Sequence, residues 1–276
     1  MPHFQLTMRE ALVLAAVFAA AAVVLWRARA RHRWFPALAG GSREAAFVML
    51  LFVLWQVAGA FALTRVAGAY DRARQIVDVE RALHLPSEQW VQSLVLSHPA
   101  LVQWLNGFYL YVHINSIVIF LVWLFVRHRD RYPWARDTLV GLTAACLLVQ
   151  LLPVAPPRFL PGFVDTATVY GQSVYGPFGS GMADQLSAMP SVHVGWAVLV
   201  TVVVITVSSS RWRWLVLAHP VLTMLAVVAT ANHFWLDGVV AALLLAAVLP
   251  VTLAIDRRRQ RRSAPVPVPE PAPAVV

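Results

Sequence analysis

Apolar residues run along this chain in stretches too long for a soluble helix, and polar residues return in short bursts between them. A helix that crosses a bilayer core needs about 20 apolar residues at a rise of about 1.5 Å each. Seven runs meet or approach that length: residues 10–26, 45–66, 101–126, 138–154, 191–208, 212–230 and 235–255. The pattern predicts an all-α fold, a polytopic bundle of membrane helices. Between the second and third runs, Ile76, Val79 and Leu83 fall at helical spacing among charged residues, which predicts an interfacial amphipathic helix over 69–96, broken near Pro86. Residues 155–190 set Gly162, Gly171, Gly176, Gly179 and Gly181 among Phe163, Tyr170, Tyr175 and Phe178. Such a segment suits a mobile lid, or an ordinary connection in the aromatic belt.

Composition sharpens the class. The 276 residues are 59% hydrophobic and 13% charged, against about a quarter charged in a soluble domain. The formal charge of +9 invites a nucleic-acid reading, but the cations are all arginines in clusters between apolar runs. That distribution encodes membrane orientation, and no nucleic-acid partner is expected. Segments 27–44, 127–137, 211–213 and 256–262 hold 16 of the 22 arginines and alternate with the other connections. Seven spans with the carboxyl terminus in the cytoplasm satisfy every loop, which predicts a multi-pass protein of the cell (inner) membrane. The first run carries Arg9 beside Glu10 before it and five arginines after it, the wrong flank order for a cleaved leader, so an uncleaved helix is expected. Cys146 is the sole cysteine and can form no disulfide within the chain.

This topology brings four separated polar groups to one leaflet. His193 opens the fifth span, His233 and Asp237 open the seventh, and Arg158 in 155-APPRF-159 follows the fourth. An ionisable group within a span costs roughly 2.5–3.5 kcal/mol on insertion scales, so groups of this kind are usually paired and functional. His233 and Asp237 are four apart on one helix face, where the carboxylate can accept the Nδ1 hydrogen and leave Nε2 as a nucleophile or base. Ser191, after Pro190, suits an N-cap whose following N–H groups favour an anion, with His193 in that first turn able to exchange a proton. Arg158 can fork two hydrogen bonds to a phosphate, and Asn232 stands beside His233 as a further polar contact. Asn106, Tyr109, His113 and Ser116 form a polar stripe that either lines the site or hydrogen-bonds between helices. Nucleophile, orienting acid, proton carrier and anion cradle together describe phosphoryl transfer.

At these residues the chain resembles the type 2 phosphatidic acid phosphatase superfamily, and most closely its inositol phosphorylceramide synthase-like (inositolphosphotransferase) branch with bacterial relatives. The carrying elements are Ala155-Pro-Pro-Arg158, Met189-Pro-Ser-Val-His193 and His233-Phe-Trp-Leu-Asp237, with Tyr109 and His113 upstream. The resemblance spans roughly residues 45–255. It implies a six-helix core plus one amino-terminal span, an active site at the extracytoplasmic membrane surface, and neither metal nor other cofactor. It further implies that His233 forms a phosphohistidine, Asp237 orients it, and His193 protonates the leaving alkoxide and then deprotonates the acceptor. Arg158, Ser191, Tyr109, His113 and Asn232 would bind the lipid phosphate, with water or a polar acceptor such as inositol or a sugar receiving the phosphoryl group.

The departures from that pattern matter. The broader superfamily opens with Lys-x6-Arg-Pro, and this chain has no lysine; Val192 replaces a usual glycine, and Ala226 and Val227 stand where Ser-Arg is usual. Two phosphate-neutralising cations are absent, which favours a singly charged phosphodiester donor over a dianionic monoester. The expected organisation is an amino-terminal span and basic loop over 1–44, a catalytic six-helix domain over 45–255, and a basic, then proline-rich disordered tail over 256–276. Three other readings stand beside this one. A proton-coupled transporter or flippase would relay protons through the buried His and Asp. A metal hydrolase would need ligands that the sequence does not offer at the usual His-Glu-x-x-His spacing. An inert scaffold would need no site at all.

Overall fold

The computed structural model describes residues 7–62, 67–171 and 185–263. Helix α1 (Met8–Arg27) opens on a Thr7–Glu10 capping box, with each side chain taking the other's backbone N–H. It packs chiefly on α2 (Phe35–Ala62), so the two form a hairpin that touches the rest of the bundle chiefly through α7 (Tyr132–Gln150). Helix α2 begins ten residues before the predicted second span, so the basic segment is partly helical and no break falls at residue 44.

Two short helices follow, α3 (Ala69–Ala82) and α4 (Glu88–Leu96), separated at Pro86 as the sequence predicts. Their faces differ from expectation. Ala69, Ala73, Ile76 and Glu80 form the buried side of α3, whereas Val79 is 49% and Leu83 58% exposed. The helix has two apolar aspects, and the smaller residues pack more tightly against the protein.

The third crossing is continuous from Pro99 to Arg127: α5 (Pro99–Gly107), a single π turn (Phe108–Val112) and α6 (His113–Arg127). After α7 come a 3₁₀ turn at Pro157–Phe159, the short α8 (Thr166–Tyr170), α9 (Val192–Val207), a second 3₁₀ stretch (Arg211–Leu217) leading into α10 (Ala218–Ala229), and α11 (Trp235–Ser263). The architecture is an all-α polytopic membrane bundle.

Among the described residues, five stretches are long and apolar enough to cross a membrane: Met8–Arg27, Phe35–Leu54, Pro99–Arg127, Arg211–Ala229 and Trp235–Arg262. The other two predicted spans, α7 and α9, lie innermost, each touching α6, α11 and the other. A helix enclosed by its neighbours faces less lipid. Accordingly α7 tolerates Arg136 and Asp137 near its start, and α9 is only 16 residues long. Phe120, Leu124, Leu142, Leu199, Val203 and Leu245 interlock at the centre, while Ile119, Leu148, Leu215 and Leu243 point outward, between 64% and 69% exposed.

Close approach and hydrogen bonds lock the bundle, as membrane helices require when lipid is as apolar as leucine. A Cβ on Gly141 would meet Val248 at 2.9 Å, so glycine there lets α7 and α11 touch. One turn away Thr138 hydrogen-bonds Thr252 at 2.8 Å. At the end that holds most of the arginines, Arg136 pairs with Glu44 and Asp137, and Arg259 with Asp137. The opposite end holds the starts of α9 and α11, the ends of α7 and α10, and α3 and α4 across them.

Candidate active site

Four short segments build the site from the backbone outward. Val154 exchanges two backbone hydrogen bonds with 186–188, at 2.7 and 3.1 Å. Ser191 donates its N–H to the Asp237 carbonyl at 3.0 Å, and Arg158 donates its N–H to the Ala231 carbonyl at 2.9 Å. Ala231 sits at φ +54°, a conformation that reverses the chain between α10 and α11 within five residues. Segments far apart in sequence are thereby tied within a few ångströms. Gln150 adds a further bond, donating to the Pro190 carbonyl at 3.2 Å.

His193 and His233 meet across this junction, with ring centroids 5.9 Å apart and planes tilted by 54°. One phosphoryl group is within reach of both rings. The Nδ1 of His233 lies 2.7 Å from the Ala188 carbonyl oxygen and 3.1 Å from Asp237 Oδ2. Its hydrogen is therefore shared, with the backbone carbonyl nearer than the carboxylate that the sequence suggested. Asp237 Oδ2 also accepts the Phe234 N–H at 2.8 Å, and Asp237 is fully buried. A ring held at Nδ1 presents Nε2 as its reactive nitrogen.

Ser191 caps α9 as predicted, its Oγ accepting from Val194 N at 3.4 Å. Tyr109, inside the π turn, packs its ring 4.5 Å from that of His193, with its hydroxyl 3.4 Å from Nδ1. The widened turn aims this side chain inward, a common use of π bulges.

The rest of the stripe divides. Asn106 donates to the carbonyls of Thr166 and Gly171 at 3.2 and 3.1 Å, and Ser116 lies 3.5 Å from His219 on α10. The side chain of His113 lies outside the described residues.

Arg158 is buried, and its guanidinium donates to Asn232 Oδ1 at 2.6 Å and Gln185 Oε1 at 3.2 Å, with Asp165 4.0 Å from Nε. Asn232 is in turn held by Thr230, its Nδ2 donating to Oγ1 at 2.8 Å. The described geometry thus gives Asn232 an orienting bond to Arg158. The glycine-rich connection is fastened where it is described: Gln92 brackets Val164 with two 2.9 Å bonds, and Gln89 donates to the Gly162 carbonyl at 3.0 Å. Gly176, Gly179, Gly181, Tyr175 and Phe178, which carry much of the lid expectation, lie outside the described residues. Among the described residues no three His, Cys, Asp or Glu are grouped to hold a metal ion.

Sequence reasoning missed the Ala188 carbonyl, Gln150, Gln185 and the two glutamines of α4. A carbonyl carries no sequence signal. Gln150, a polar side chain at the end of an apolar run, was the one visible clue.

No curated protein and no solved structure gives a significant match. Residues 74–251 match the sequence profile described as the PAP2 superfamily, a stretch covering more than half of the chain and every described residue of the site. The chain belongs to the PAP2 superfamily.

Proposed function

We propose that the protein is an integral-membrane phosphatase or phosphotransferase acting on a lipid phosphate through a phosphohistidine at residue 233. The observation that carries this reading is the 5.9 Å approach of the two imidazoles, one of them held at Nδ1 by a carbonyl and a buried carboxylate. His233 Nε2 donates its lone pair to phosphorus, the N–P bond forms, and the P–O bond to the lipid alkoxide breaks. His193 gives that alkoxide a proton. His193 then takes the proton of the incoming water or alcohol, whose oxygen attacks phosphorus as the N–P bond breaks. Asp237 and the Ala188 carbonyl retain the Nδ1 hydrogen and stabilise the charge on the ring. Arg158 faces the phosphoryl oxygens, aimed by Asn232 and Gln185.

The finer assignment is an inositolphosphotransferase-like exchange on a singly charged phosphodiester, with a polar acceptor. The chain has no lysine, and Arg158 already shares its charge with Asp165, so little positive charge is left for a dianion. The arginine distribution supports an extracytoplasmic site and a cytoplasmic carboxyl terminus. Incubating the purified protein with phosphatidylinositol, phosphatidate and a prenyl phosphate, with and without inositol, tests the assignment. Transfer from the diester, lost in His233→Ala, is expected. Hydrolysis of monoesters alone would reject the diester assignment, and transbilayer lipid movement without turnover would favour a flippase.

A further inference from the structure

Three consecutive amides at the start of α11 each meet a different carboxyl group. Phe234 N–H donates to Asp237 Oδ2 at 2.8 Å, Trp235 N–H to Glu88 Oε1 at 3.4 Å, and Leu236 N–H to Glu80 Oε1 at 2.8 Å. These are the donors that a helix start leaves without an intrahelical partner. Glu80 comes from the buried face of α3 and Glu88 from the first turn of α4, and each is only 4% exposed. Trp235 adds a 2.7 Å bond from its indole nitrogen to the Pro86 carbonyl, between the two helices.

Three buried carboxylates around one helix turn repel each other, and a helix N-terminus carries only about half a unit of positive charge. Glu80 Oε2 is buried and accepts no hydrogen bond, which makes it the atom free to carry a proton. The charged groups facing Glu80 from neighbouring elements are Glu88 on α4 and Asp237 on α11. The segments 154–160 and 186–188 bring mainly apolar side chains to α3, and Arg158 among them is engaged by Asn232 and Gln185. Burial first, and Glu88 second, push the Glu80 carboxyl up to about 9.

We propose that Glu80 and Glu88 are a proton-sharing carboxyl pair that positions the start of α11, and through it the His233–Asp237 couple. Glu80 keeps one proton at Oε2 and donates it to the Glu88 carboxylate, while the two Oε1 atoms hold the Leu236 and Trp235 amides. Loss of that proton sets two charges against each other and loosens the turn that bears His233. The pair consists of positioning residues, and their role in turnover rests on the function proposed above.

The experiment compares the full-length protein with Glu80→Ala and Glu80→Gln in lipid nanodiscs, over pH 6 to about 10.5, with the lipid phosphate that the wild type turns over. Glutamine keeps the acceptor for Leu236 and a donor for Glu88. Glu80→Ala is expected to lose roughly tenfold or more in kcat with little change in KM, and Glu80→Gln to restore it near neutral pH. Wild-type kcat is expected to fall as pH rises through about 9, and Glu80→Gln to lack that decline. An alkaline decline equal in wild type and Glu80→Gln would overturn the proposal. If no lipid phosphate is turned over, the function has failed, and infrared spectra still decide the pair. A protonated-carboxyl band at pH 7 that vanishes in Glu80→Gln supports it, and an unchanged spectrum overturns it.

Discussion

Tyr109 shows how much a single side chain can decide here. Its ring packs at a tilt against His193 while its hydroxyl lies 3.4 Å from Nδ1, so the two contacts can be separated by substitution. Tyr109→Phe keeps the ring contact and removes the hydroxyl; it is expected to lower kcat by about tenfold or less, against about 10²–10⁴ for His193→Ala. Steady-state kinetics on the same substrate check both values, and equal losses would mean that the hydroxyl, not the ring, sets the geometry. Asn232→Ala leaves the Arg158 guanidinium without its 2.6 Å partner and is expected to raise KM more than it lowers kcat. Much at this scale was legible. His193, His233, Asp237 and Arg158 stood out in the sequence because titratable groups in lipid-length runs are conspicuous, and the fold gathers them at one end. Asn232 was singled out for substrate; its bond to Arg158 is a relation that exists only once residues 158 and 232 are folded together. The Ala188 carbonyl was invisible for the same reason.

Among the elements, α3 and α4 were readable as a broken helical pair because charge and helical spacing coincide there and Pro86 parts them. Their inner face was not, since small alanines rather than Val79 and Leu83 turn inward, and Glu80 follows them to reach the Leu236 amide. That glutamate also makes stability depend on pH. Its folded value, about 9, stands above the ordinary 4.5, so the unfolded chain releases the proton first as pH rises. The stabilisation from this group is complete below about 4.5 and is lost as pH rises toward and through about 9. A thermal-unfolding series in detergent is expected to show a declining midpoint over that window, flattened in Glu80→Gln. The α7–α11 seam gives a second check. Gly141→Leu drives a side chain into Val248 and is expected to destabilise by about 1–3 kcal/mol, read from the same melts.

For the whole molecule, the apolar runs sufficed to foresee a polytopic helical bundle, because in lipid the backbone can satisfy itself only within helices or closed barrels. Helices were foreseen at α7 and α9 too, although neither has the length and apolarity that lipid demands of a crossing. What the runs could not convey is the tie between them. Only the folded chain shows Ser191 bonded to Asp237 and Arg158 to Ala231, the links that gather four distant segments at one end. The bundle brings two imidazoles together, and under the proposed function the reaction intermediate distinguishes this account from its rivals. The decisive measurement is rapid quenching of the protein with a labelled lipid phosphate, followed by peptide mapping. Acid-labile phosphate on His233, formed by the wild type at a rate that accounts for turnover and absent in His233→Ala, is the predicted result. Sustained turnover with His233 never phosphorylated, or with the label on another residue, would contradict the account.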